Sequence, residues 1–409
     1  MRRYLFAFLA IPVIGIFAIA ACNVVIDPFD IYRFVTIAHL NQAKPVRDSN
    51  GARIAISHEI MRGGYRALFI GNSRVQRGFP QTAPEIEGGA LNAGMAGATA
   101  LEAARAAALG RRVAGVDCMF VSLDFASFNT VGNKSGGYNE SALPDGSRWR
   151  SWVETAFAYP TLVASVNTVS ANAFGAQLAE LSEAPTVETV PRTKFVKSGR
   201  LALAFYRGFE YDTERLKLIV RVIDLMTAQG IQAIVFFPPT HAWNEEAIWD
   251  GGKAETYLRF RRDALTALEP FRARPVHKAC DASSGAVSSW DFSGFRLPAR
   301  QAVPTAETRG ATTPFTEAQH FDRTLGTAML RMMIGAAPQS PWHGADLGER
   351  IDLPGLAANE AGMEARRQQW LDSPDGATLE ELVKDWRRSD APTPSSDRSF
   401  LTADDFAGL

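Results

Sequence analysis

A chain of 409 residues, 46% hydrophobic and 21% charged, can bury one large α/β core or two smaller ones without needing disulfides. Its net charge of -1 gives no global attraction to nucleic acid, and no Lys/Arg stripe is interleaved with aromatics, so no nucleic-acid partner is expected. The three cysteines form neither a CxxC pair nor a zinc spacing, so no metal or other cofactor is expected.

Arg2 and Arg3 precede an uncharged run from Tyr4 to Ile26, long enough to cross about 30 Å of hydrocarbon. Residues 1–26 are therefore expected to be a single membrane anchor with the Arg end inside and everything after Asp27 outside. In a bacterium this means the inner membrane, with the globular part in the periplasm. A cleaved signal peptide and a lipoprotein signal, with Ile19-Ala20-Ala21 before a lipidated Cys22, are the alternatives. The apolar residues Val24, Val25 and Ile26 beyond Cys22 favour the uncleaved helix. Cys118, within an apolar strand, and Cys280 can form a bridge in an oxidising compartment, but two residues do not establish one.

Residues 27–66 read as a connector containing Pro28 and Pro45, with a short helix at Ser57 to Met61. Short apolar runs bounded by turns predict strands at Leu68 to Gly71, Cys118 to Leu123 and Ala233 to Phe237. Helical spacing predicts helices at Leu101 to Leu109, stopped by Gly110, and at Thr213 to Ala228, ending before Gly230. Strand-helix alternation of this kind predicts an α/β fold with a mostly parallel sheet covered on both faces. The main domain is expected over 67–335, with an insertion at about 130–200 forming either a cap over the strand ends or a plain surface excursion. Residues 336–409 read as a partly mobile extension with a late helix at Thr378 to Arg388 and a Ser/Pro/Asp-rich stretch at 389–398.

The first strand runs into Gly71-Asn72-Ser73-Arg74, a turn that sets Ser73 at the sheet edge where a helix begins. A serine nucleophile needs a base within hydrogen-bond reach and a third group that orients the base. The segment EAQHF supplies His320 and, three residues before it, Glu317; Asp322 is the fallback carboxylate. The same turn also fits a plain strand-to-helix connection with Ser73 as N-cap, and His320 also fits a packed residue before a helix. In LNAGMAGAT the glycines Gly94 and Gly97 let backbone approach a ligand, although neither this loop nor GNSRVQRG reads as a dinucleotide fingerprint. Arg74 and Arg77 flank the serine as contacts for an anionic substrate or as a solvated face. His241, after FFPPT, is a substrate contact or a loop residue, and Trp243, Trp249 and Trp290 stack on sugars or pack in the core.

GNSR after the first strand, NAGMAG, LDFASF, FFPPTH, WDFSGF and EAQHF, in this order, resemble the SGNH (GDSL-like) hydrolase superfamily. The likeness is strongest to its membrane-tethered, alginate O-acetyltransferase-like group, and it covers Asp27 to about Gly335. It implies a flavodoxin-like three-layer α/β/α sandwich after one N-terminal transmembrane helix. It also implies a serine-dependent acyl-ester hydrolase or O-acetyltransferase working outside the cytoplasm on a cell-envelope or exported polysaccharide. The partners implied are a glycan substrate, the membrane and other polysaccharide-modification proteins. The nucleophile falls on Ser73, the base on His320 and the orienting carboxylate on Glu317, where the family usually has Asp. The oxyanion position falls on Gly94, with Asn92 beside it and the Ser73 N–H as partner donor. The family's third-block asparagine has no clean counterpart: the third strand ends in Asp124, a substrate-binding candidate, and Asn129 lies further along. Glu317 and this altered block leave open a catalytically inactive glycan-binding or scaffolding protein.

Overall fold

The structure is a computed structural model that describes residues 2–47, 51–130, 136–174, 192–281, 285–304, 313–388, 401, 405–406 and 409. The chain divides into two compact units, the first from Met1–Gly63 and Lys134–Ala184, the second from Gly64–Asn133 and Pro185–Ala407. Helices in chain order are α1 (Arg2–Ile26), α2 (Ala52–Arg62), α3 (Ser73–Gly78), α4 (Ala100–Gly110), α5 (Arg148–Phe157), α6 (Tyr159–Ala173) and α7 (Arg192–Arg207). They continue as α8 (Thr213–Ala228), α9 (Ala242–Asp250), α10 (Ala254–Leu268), α11 (Arg323–Met333), α12 (Leu356–Leu371) and α13 (Pro374–Arg388).

The second unit is α/β. Strands β1 (Ala67–Ile70), β2 (Ala90–Asn92), β3 (Cys118–Ser122), β4 (Gln232–Phe237), β5 (Val287–Asp291) and β6 (Glu349–Arg350) form one sheet in the order β2-β1-β3-β4-β5-β6. All pairings are parallel except β5 with β6. Every residue of β1, β3, β4 and β5 is buried, as a parallel sheet covered on both faces demands. Phe69, in register with Phe120, stacks on both Phe120 and Phe79 with ring centroids 4.8 Å apart. Because β1 is followed by β2 on one side and the chain then crosses to β3 on the other, the strand order reverses at β1 and β3. The crevice at their carboxyl ends is where such sheets bind ligands.

The predicted strands and helices appear with shifts of one or a few residues, while β2, β5 and β6 carried too little local pattern to be read. Helix α4 starts at a capping box, Thr99 and Glu102 bonding each other's backbone, and presses on β1 through Gly110, where a Cβ would stand 2.3 Å from Leu68. Cys118 and Cys280 form a disulfide, which the sequence left open. The extension beyond Gly335 is less loose than its composition implied: β6 joins the sheet, and α12 and α13 bury Met363, Trp370 and Trp386. The stretch 389–398, expected to be mobile, lies outside the described residues.

In the first unit, α1, α2, α5 and α6 surround a small core that includes Ala20, Phe29, Tyr32, Ile54, Ala156 and Ala164. The stretch 130–200, expected as one insertion, is divided: α5 and α6 belong here and pack on α1, whereas α7 belongs to the second unit. Its parts 131–135 and 175–191 lie outside the described residues. Among the described residues no helix is long and apolar enough to cross a membrane, the side chains of α1 being described almost entirely from Ala10 onward. The expected span is seen as a single helix, α1.

Candidate active site

Backbone packing sets the serine in place. Gly71 ends β1 in a turn so tight that a Cβ would stand 2.4 Å from Val75 and 2.9 Å from Ser122. Asn72 is the N-cap of α3, its side chain accepting from the Arg74 N–H at 3.0 Å. The capping role considered for Ser73 thus belongs to its neighbour, and the serine hydroxyl is released for other chemistry. Ser73 Oγ lies 2.7 Å from His320 Nε2, and His320 Nδ1 hydrogen-bonds Glu317.

The loop that carries the base is folded back on itself. A bridge pairs Phe315 with Phe321, the Thr316 N–H donates to the His320 carbonyl at 2.9 Å, and Asp322 donates to the Pro314 carbonyl at 2.9 Å. This closure brings Glu317 and His320 face to face. Asp322 is not the orienting group, because its carboxylate caps α11 by accepting from the Leu325 N–H. Ala318 anchors the loop by donating to Ser198 Oγ at 3.0 Å. Burial pushes the Glu317 carboxyl up, but hydrogen bonds from His320, the Gln319 backbone and Ser198 more than offset this and hold it below the ordinary carboxylate value. A carboxylate only accepts, so Nδ1 carries the ring proton and the Nε2 lone pair faces the serine hydroxyl. Ser73, His320 and Glu317 are therefore arranged as a nucleophile, a base and an orienter.

The serine opens onto a cleft of about 260 Å³ whose lining includes Gly97, Asn129, Phe205 and Arg215. At the start of α3 the Ser73 N–H has no acceptor among the described residues. Gly97 adopts φ +62°, in the left-handed region, where its backbone borders the cleft. Asn129 accepts from the Glu210 N–H at 3.0 Å through its carbonyl, which leaves its NH2 for a ligand.

Several expected contacts are corrected. The Gly94 N–H donates to Asn92 at 3.0 Å, and a Cβ on Gly94 would stand 2.4 Å from the Gln76 nitrogen. Asn92 donates to the Val75 and Phe79 carbonyls at 3.0 and 2.9 Å. Both brace α3 from behind and neither lines the cleft, so they are not oxyanion donors. Arg74 and Asp124 form a buried ion pair with each other, so neither is free for substrate. Burial opposes the Arg74 charge, but Asp124 and Tyr206 hold its pKa above the usual arginine value. Arg77 is exposed on α3, and Arg215 pairs with Asp212 at 3.2 Å.

His241 is wholly buried: Nε2 donates to the Gln301 carbonyl at 2.7 Å while Nδ1 caps α9, and burial lowers its pKa. It is a packed structural residue and not a substrate contact. Trp243 is buried with its Nε1–H on Asp375, Trp249 packs against Phe295, and Trp290 stacks on Phe292. The aromatic side chain at the cleft is Phe205, which sits mid-helix and carried no sequence signal. Among the described residues, no cluster of His, Cys, Asp and Glu is suited to a metal.

The site thus joins the turn after β1 to a loop far down the chain, with a cleft before it lined by both polar and apolar groups. No protein-family model, curated protein or solved structure matches the chain.

Proposed function

We propose that this chain is an SGNH-type, serine-dependent acyl-ester hydrolase or O-acetyltransferase with a flavodoxin-like three-layer sandwich. Its substrate would be an acylated polysaccharide of the cell envelope or of an exported polymer. The observation that carries the reading is the 2.7 Å contact between Ser73 Oγ and His320 Nε2, with Glu317 on the other ring nitrogen.

In this mechanism His320 takes the hydroxyl proton as Oγ attacks the acyl carbonyl, and Glu317 stabilises the imidazolium that forms. The Ser73 N–H receives the oxyanion, and the Gly97 backbone and Asn129 NH2 are the further polar groups at the cleft. His320 then gives the proton to the departing alcohol, leaving an acyl ester on Ser73. Water activated by the same histidine completes hydrolysis; a sugar hydroxyl completes transfer. With Arg74 and Arg215 both matched by carboxylates, the cleft suits an uncharged ester, and Phe205 offers an apolar face to a sugar ring.

An envelope location is supported by two features. At a rise of about 1.5 Å per residue, the 25 residues of α1 reach about 38 Å, more than the hydrocarbon thickness, and Arg2 and Arg3 lie at its start. The Cys118–Cys280 disulfide suits an oxidising compartment. We accordingly place the second unit in the periplasm, tethered to the inner membrane beside other polysaccharide-modification proteins.

The test is labelling with a serine-reactive fluorophosphonate, comparing the wild type with Ser73→Ala. Labelling that disappears in the variant supports the activated serine and leads to screening of acetylated glycans. Absence of labelling in folded wild type would replace this reading with a glycan-binding module that has lost catalysis.

A further inference from the structure

The first unit has two helices, α5 and α6, whose polarity is the wrong way round for water. Of the twenty large apolar side chains exposed among the described residues, all but Leu201, Leu297 and Leu353 belong to it. On α5 the exposed apolar residues are Trp149, Val153 and Phe157, four apart and so on one face, with Arg148 and Glu154 exposed beside that stripe, whereas the buried ones are Ser151, Thr155 and Ala156. Helix α6 exposes Tyr159, Val163 and Val166, buries Thr161, Ala164, Ser165 and Thr168, and has no charged residue along its length.

The contacts between these helices are polar and small. Asn23 of α1 is fully buried; its Nδ2 donates to the Ala156 carbonyl at 2.8 Å and its Oδ1 accepts from Ser165 Oγ at 3.0 Å. An aqueous helix turns its apolar stripe inward. Small and hydroxyl-bearing residues at the contacts, with branched and aromatic ones outside, are instead the arrangement of helices solvated by lipid. Phe17 of α1, 62% exposed, meets Phe157 with ring centroids 5.8 Å apart, so the outward faces of α1 and α5 are continuous.

We propose that α5 and α6 form a hairpin embedded in the lipid bilayer beside α1, a second membrane contact that does not depend on α1 spanning. The occupant of this face is the headgroup and outer acyl-chain layer. At about 1.5 Å per residue, the 15 residues of α6 reach only about 22 Å, too short to cross, so the hairpin lies within one leaflet. The uncharged helix α6 and the apolar stripe of α5 match hydrocarbon, while Trp149 and Tyr159, 72% and 71% exposed, and the exposed Arg148 next to Trp149 match the headgroup level.

The test uses the full chain with Cys22→Ala, leaving the disulfide intact, and a single environment-sensitive fluorophore on Val153→Cys, Val166→Cys or, as control, the exposed Lys217→Cys of α8. Each is mixed with vesicles of phosphatidylethanolamine and phosphatidylglycerol that carry nitroxides either near the headgroup or near the chain end. The expected result is a blue shift and quenching at 153 and 166 but not at 217. Quenching should be stronger from the shallow nitroxide, as burial to about 5–10 Å requires. Vesicle binding without quenching at 153 and 166 would overturn the hairpin while sparing α1 as an anchor; failure to bind vesicles at all would overturn both. Neither outcome touches the serine chemistry, which the fluorophosphonate reads separately. A blue shift with no lipid quenching would mean that protein covers the face, and would also overturn the proposal. The control label and an unchanged melting temperature establish folding in each variant.

Discussion

Arg74 is the residue whose loss should reveal how the serine and histidine are held together. Its guanidinium pairs with Asp124 at the end of β3, and its Nε donates to the Gln319 carbonyl at 2.9 Å, next to His320. Asp124 in turn accepts from Asn72 Nδ2 at 2.6 Å, next to Ser73. Replacing Arg74 by Met keeps the volume but leaves the Asp124 carboxylate buried without its cation. Breaking a buried pair on one side costs about 3–5 kcal/mol, and at about 2–4 °C per kcal/mol for a domain of this size the melting temperature should fall by about 6–20 °C. The double variant Arg74→Met/Asp124→Leu removes both charges and should recover most of that loss, because two matched apolar side chains cost less than one orphaned charge. Neither variant restores the anchor on Gln319, so fluorophosphonate labelling, measured well below both melting temperatures, should stay slower than wild type by about 10-fold or more. Melting followed by circular dichroism, combined with labelling rates, gives both readouts. If the two single-residue losses add to within about 0.5 kcal/mol in the double variant, the sites are independent and the argument fails. Wild-type labelling in folded Arg74→Met would show that Arg74 does not position His320.

Glu317→Gln keeps the shape of the orienting group but removes its charge and its fixed demand for the Nδ1 proton, so labelling and turnover should fall by about 10³–10⁴ while folding persists; retained activity would remove Glu317 from the mechanism. Glu245 is buried on α9, and that burial pushes its carboxyl up to about 7 from 4.5. The folded state therefore binds this proton more tightly than the unfolded state, so its contribution to stability is full below about 4.5 and is lost as pH rises towards 7, on the order of 3 kcal/mol. Glu245→Gln should accordingly raise the melting temperature at pH 8 and leave it nearly unchanged at pH 4.5, which differential scanning calorimetry checks. The disulfide closes a sequence separation of 162 residues, so Cys118→Ala/Cys280→Ala should lose about 2–5 kcal/mol in urea unfolding, whereas reductant should leave that variant's midpoint unmoved.

What could be read in the sequence was local. The apolar runs at β1, β3 and β4 and the helical spacing of Thr213–Ala228 announce themselves because periodicity and turn residues act within a few positions. Ser73 and the pairing of Glu317 with His320 were legible for the same reason: one follows a strand into a tight turn, and the others sit three apart in one loop. Asp124, Arg74 and His241 were misread because burial and pairing were invisible. An arginine beside this serine has the same local sequence whether it faces a substrate or a carboxylate brought in from another strand.

The sequence by itself therefore determined the class of fold, the residue types that meet at the candidate site and the apolar N-terminal helix, since these follow from side-chain identity and spacing. Tertiary structure alone decided that Asn72 caps α3 and frees Ser73, and that Gly94 and Asn92 brace the site from behind. It alone set Gly97, Asn129 and Phe205 at the cleft and turned the apolar faces of α5 and α6 outward. The physical reason is that each of these depends on which groups meet across long chain separations, where hydrogen-bond partners and solvent access are assigned by packing and by nothing in the neighbouring residues.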